Sequence, residues 1–175
     1  NANVKIASSF HEGFTHAPGE QISYDDVILV NEYNKDGTPV NDMNCSLTSY
    51  LLFGQFVTTT QLLKDYDPYL MFDVEAIETE DRFESFRDNK DKFITIFEPV
   101  KVKKDSTLQE HIEVIQDEWK ERGIKMDEQG KISLITLYLH DTFDNLRFVG
   151  HTGVLLEQED GIIFVEKYGW NKPFQ

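Results

Sequence analysis

Cysteine is nearly absent: Cys45 is the only one among 175 residues. An internal disulfide needs two thiols, so the cross-linked framework of small secreted domains is excluded. Basic residues are also scarce, with 17 Lys and Arg against 32 Asp and Glu and a net charge of −15. Phosphate backbones reward clustered cations, and the clearest such cluster is the run VKVKK at 100–104. Nucleic acid and anionic membrane surfaces are therefore set aside as partners. Long apolar runs are missing too, and no stretch approaches the ~18–20 residues of a membrane span.

What is present is enough for a core. Apolar residues make up 39% of the chain and aromatics 13%, including 13 Phe. A chain of this length buries about two thirds of its unfolded surface. One domain over 1–175 is expected, with 1–25 as an extended, polar, Gly-punctuated arm. The opening NANVKIASSF lacks a Met. That is the expectation for an excised segment whose first residues are a cloning scar, with any export or anchoring signal upstream.

The coarse pattern runs from helices to strands. VILVNEY (27–33) suits a strand, and the Asn/Asp/Gly/Pro-rich 34–44 a loop. CSLTSYLLFGQFV (45–57) spaces Leu47, Tyr50, Leu51 and Phe53 as a helix face, with Asp42 or Asn44 as N-cap. A second helical piece over 58–78 is expected to be interrupted at Pro68, and 81–100 to hold a short amphipathic helix and an apolar run at Phe93–Phe97. The clearest helix is 107–123: Leu108, Ile112, Ile115 and Trp119 form a stripe, Thr107 and Glu110 match a capping box, and Gly123 marks the stop. Strands follow at 131–140, 146–157 and 162–169, joined by short turns as an antiparallel meander. Helices first and sheet last predicts an α+β fold.

Cys45 opens a predicted helix, where backbone N–H groups and the dipole favour an anion. A thiolate needs a partner for its proton. Of the five histidines, His111 sits one position off the apolar stripe and reads as a surface or boundary residue. His11 and His16 are spaced i, i+5 rather than the i, i+4 of a helical zinc pair, so no metal is expected, and no cofactor. His140 reads as a turn residue. His151 lies mid-strand near Gly150 and Gly153, and glycine in a strand marks close approach of another group. A core histidine bonded to backbone is the competing reading. A four-residue turn QEDG sets Glu157 opposite Ile162, Gly153 opposite Glu166 and His151 opposite Tyr168. Glu166 is then on the His151 side of the hairpin, with the glycine leaving room for its carboxylate; an exposed edge charge is the alternative. Cys45 itself has the alternative of a small buried hydrophobe.

Cys at a helix start, then a His and an acid on successive strands, resembles the papain-like thiol hydrolases. The order is that of bacterial cell-wall amidopeptidases and transglutaminase-like proteins. The papain signature is absent, since no Gly precedes Cys45 and no Trp follows it. A closer resemblance lies in YDD (24–26), NCSLTSYLL, HIEVIQDEWKERGI, FVGHTGVLL and GIIFVEKYGWNKPFQ. These resemble an uncharacterised family of bacterial surface proteins, a domain of unknown function often predicted to be lipoproteins of Gram-positive bacteria. The resemblance implies a location outside the cytoplasm.

The mechanism to expect is cleavage of an amide, or acyl transfer, through a thioester on Cys45. His151 would hold the proton and Glu166 would orient its ring. The Cys45 N–H, with Asn44 or Gln55 as a side-chain donor, would form an oxyanion hole. Asn44 has a competing role as N-cap, and Gln55 as an exposed helix-end residue. Peptide or peptidoglycan-like amides are the substrates this implies. A different class is a non-catalytic surface binding module, with Tyr66, Tyr69, Phe72, Phe83, Phe86, Tyr168 and Trp170 lining a recognition face or, alternatively, filling the core.

Overall fold

The computed structural model describes residues 43–126 and 131–167. The expected arm, the strand at 27–33, His11, His16, Tyr168 and Trp170 lie outside the described residues. The chain is α+β, with helices preceding the main strands, as the order of the patterns predicts. It divides into two compact units, one holding 1–53, 131–135 and 152–175, the other 54–130 and 136–151. Among the described residues no helix is long and apolar enough to cross a membrane.

In the first unit, helix α1 (Cys45–Phe53) is buried almost all round, with Ser46 to Leu51 and Phe53 inside. Its small hydroxyl residues alternate with Leu47, Tyr50 and Leu51, so no polar stripe is left for solvent. Burial pushes the Tyr50 phenol well above its ordinary value. Two further strands that enter the unit, β5 (Leu146–Gln158) and β6 (Gly161–Glu166), form an antiparallel hairpin there. Its register is the one the turn length predicts: Glu157 faces Ile162 and Gly153 faces Glu166. A one-residue slip would send every side chain to the other face. Helix α1 packs against β6. Thr152 is buried and donates its hydroxyl to the Ile135 carbonyl at 2.9 Å.

The second unit holds helices α2 (Met71–Thr79), α3 (Lys90–Phe97) and α4 (Leu108–Glu121). The short strands β1 (Val57–Thr58) and β3 (Lys125–Met126) pair with each other. Strand β2 (Val100–Lys101) pairs with the start of β5, which lies beside β4 (Ile132–Asp141). The core is aromatic and aliphatic: Phe83, Phe93, Phe97, Ile77 and Ile94 are buried, and the Phe93 and Phe97 rings lie 4.9 Å apart.

Local boundaries differ from the sequence pattern in three places. Residues 59–67 carry no helix, and Pro68 starts rather than interrupts one. Asp67 accepts from the Tyr69 N–H at 3.1 Å and Pro68 takes the first position, where its missing N–H costs nothing. The apolar run Phe93–Phe97 belongs to α3. Helix α1 ends at Phe53 and passes into a tighter 3-10 turn, Gly54–Phe56.

Helix α4 fits its signals at both ends. The Thr107–Glu110 capping box forms in both directions. Gly123 follows with φ +62°, a conformation that L side chains rarely adopt, and Thr60 fills the space a Cβ would need. Thr107→Ala is expected to cost about 1 kcal/mol, read as a lower urea midpoint at unchanged m. The buried side of α4 is not the predicted stripe. Leu108 is 66% exposed and Ile112 is exposed, while His111 and Arg122 are inside at 2% and 4%. His111, expected as a surface or boundary residue, is buried because Arg147 and the Lys103 carbonyl satisfy both of its ring nitrogens. Trp119 keeps its inward place, donating to the Tyr138 hydroxyl at 3.1 Å.

Candidate functional site

Cys45 is the first residue of α1 and is half-buried. Asn44 stands before it as the N-cap: its carbonyl accepts from Thr48 N–H at 3.1 Å and its side-chain oxygen from Leu47 N–H at 3.0 Å. The oxygen of Asn44 is thus committed to the helix start. Gln55 is exposed on the 3-10 turn after α1, in the second unit.

Glu166 is the last residue of β6 and half-buried, facing Gly153. The space over Gly153 has a different occupant from the one expected. A Cβ there would run into the Phe164 ring and meet the Val165 carbonyl oxygen at 3.0 Å. The glycine makes room for the Phe164 ring. Gly153→Ala is expected to destabilise the protein by about 1–3 kcal/mol through overpacking, measured by urea unfolding. Phe164→Ala in the same background should recover part of that loss.

His151 lies in β5, half-buried, two positions before Gly153 and hence on the same side of the strand. Its predicted partner across the hairpin, Tyr168, lies outside the described residues. Cys45 and Glu166 belong to the first unit and His151 to the second. Beside Glu166, Lys167 is 1% exposed. A Lys next to a Glu at a strand end is ordinarily solvated.

Of the aromatic residues named as a recognition face, Phe83 is in the core of the second unit. Tyr66, Tyr69 and Phe72 are exposed. Tyr69 stacks on Phe148 at 4.2 Å and donates its hydroxyl to Asp141 at 2.7 Å. That bond, with burial and the nearby Asp141 charge adding to it, pushes the phenol up to about 12. The same bond, with the N–H groups of Phe143 and Asp144, holds the Asp141 carboxyl below its usual range. Phe143 projects from that turn and is 90% exposed, which sequence reasoning passed over because one Phe in a polar turn carries no periodic signal.

The chain belongs to a family described as a domain of unknown function (DUF4300), whose model spans residues 1–175. Neither the curated proteins nor the solved structures contain a match to it.

Proposed function

We propose that this member of a domain-of-unknown-function family is a cell-surface thiol hydrolase or acyl transferase of papain-like layout. Cys45 is the nucleophile, His151 holds its proton and passes it to the leaving amine, and Glu166 orients the imidazole. Attack by the thiolate forms a C–S bond as the amide C–N bond breaks, and water or a second amine then releases the acyl group. The substrates are peptide or peptidoglycan-like amides outside the cytoplasm, consistent with the resemblance to Gram-positive lipoproteins. The observation that carries the reading is the half-exposed position of Cys45 at the first turn of α1, a helix whose start is closed by Asn44 and which packs on the strand ending in Glu166. The N–H of Cys45 and the Asn44 amide nitrogen are its oxyanion donors, with Gln55 the other candidate.

The test is acylation. The full chain is incubated with a p-nitrophenyl ester and its intact mass followed. The expected result is one acyl group per chain, absent in Cys45→Ala and released by hydroxylamine. A native chain that takes up acyl groups no faster than a free thiol of the same buffer overturns the reading.

A second reading has its own support: the exposed aromatic surface of the second unit, where Tyr69, Phe72 and Phe143 face solvent. In that case the protein is a surface binding module, Cys45 is inert, and Cys45→Ala leaves ligand affinity intact.

A further inference from the structure

Within the second unit, three groups able to carry positive charge pack together from three elements. Arg147 of β5 approaches the Nδ1 atom of His111 of α4 with two nitrogens, Nε at 3.0 Å and Nη2 at 2.8 Å. A guanidinium only donates, so Nδ1 is the acceptor and the His111 proton is on Nε2. That nitrogen lies 3.2 Å from the Lys103 carbonyl, which accepts from it. The tautomer is therefore set by geometry, and both nitrogens of the ring are spent in its neutral form. The ring of His140, on β4, meets His111 edge to face at 4.8 Å between centroids. The Nε2 atom of His140 is buried without a hydrogen-bond partner. His111 is 2% exposed, so water cannot take over from a lost contact without the helix moving.

We propose that the His111–His140–Arg147 cluster is a proton-operated latch that holds α4 to the sheet of the second unit in neutral solution and releases it in mild acid. Protonation of His111 puts a hydrogen on Nδ1, turning the acceptor for Arg147 into a donor facing a cation. The bond becomes a repulsion. Protonation of His140 adds a further charge to the same space. The other charged groups around the rings are Lys103, Glu110 and Asp141. Asp141 favours the charged form of His140, but desolvation first, and then Arg147 and His111, outweigh it and hold that imidazole below its ordinary range. Glu110 is exposed and already committed to the Thr107 backbone and hydroxyl. For a base whose folded value is depressed, stability is complete above the unfolded value and is lost as pH falls through that value toward the folded one. The window therefore opens downward from about pH 6.5.

The measurement is amide hydrogen exchange over Leu108–Glu121 in the full chain, corrected for the intrinsic pH dependence, between about pH 7.5 and 5.5. The expected result is a loss of protection of about tenfold in the native chain. His111→Gln keeps an acceptor and a donor but does not titrate, and its helix should lose clearly less protection than the native one, with only His140 left to charge. A native helix whose protection is unchanged to about pH 5.5 overturns the proposal. So does a His111→Gln chain that loses protection in parallel. If His111→Gln does not fold, nitrogen-15 shifts of the imidazoles in the native chain decide. Proton uptake at His111 Nδ1 that coincides with the loss of protection supports the latch, and uptake that leaves protection intact overturns it.

Discussion

At about pH 6, Cys45 in the native chain is expected to react with iodoacetamide roughly 30-fold faster than in His151→Ala. The thiolate is the reacting species, and a free thiol, titrating at about 8.5, is well under one per cent ionised there. In the proposed pairing the His151 imidazolium would hold the thiolate, and the weaker nucleophilicity of a stabilised thiolate would offset part of the gain in rate. One thiol per chain makes the assay free of background from other sites. The rate in His151→Ala should climb only as pH approaches that of ordinary thiols. Glu166→Gln should fall between the two, because in the proposed arrangement the ring would stay present but lose the Glu166 charge. Equal profiles for native and His151→Ala would remove the catalytic pairing and leave the binding-module reading standing.

Arg122→Met is expected to cost about 3–5 kcal/mol, a large share of the ~5–15 kcal/mol that holds a domain together. The guanidinium is 4% exposed and fans out to four acceptors in the second unit. Its Nε pairs with Glu118 at 2.9 Å, Nη1 bonds the carbonyls of Thr95 at 3.0 Å and Glu98 at 2.9 Å, and Nη2 reaches Pro99 at 3.4 Å. Its own carbonyl accepts from Thr60 and Gln61. The side chain therefore closes the carbonyls where α3 ends, and its loss leaves them buried and unpaired. The Glu98 carboxyl, already raised by desolvation against the lowering effect of the Asp67 N–H, would also lose the Arg122 charge and rise further. Arg122→Lys should recover little, because one ammonium cannot reproduce the planar fork. Lys120→Ala is the control: its pair with Asp117 is exposed on both sides and should be worth under about 1 kcal/mol. Urea midpoints of the variants read all of these, and an Arg122→Met midpoint within about 1 kcal/mol of native would mean the carbonyls find other partners.

The contrast between the ends and the sides of α4 explains how much was legible beforehand. Thr107, Glu110 and Gly123 act on backbone groups within a few residues of themselves, so their roles can be read from spacing alone. The same holds for the β5–β6 register, which a four-residue turn sets without reference to anything else. The side of α4 is another matter. Apolar periodicity nominates Leu108 and Ile112, yet the buried positions include His111 and Arg122. Those polar side chains can be inside only because Arg147 and the carbonyls of residues 95, 98, 99 and 103 come to meet them from distant segments.

The candidate site divides in the same way. By itself the sequence determined an α+β chain, Cys45 at the first turn of a helix capped by Asp42 or Asn44, and Glu166 facing Gly153, because each depends on local backbone chemistry or on turn length. Tertiary structure alone decided that Phe164 fills the space over Gly153, that Lys167 is buried, that Phe83 is core while Tyr69 and Phe72 stay exposed, and that Arg147 and the Lys103 carbonyl meet the two ring nitrogens of His111. The physical reason is common to all four. Whether a polar group or a ring can be buried is set by the partners that reach it, and those partners lie anywhere in the chain.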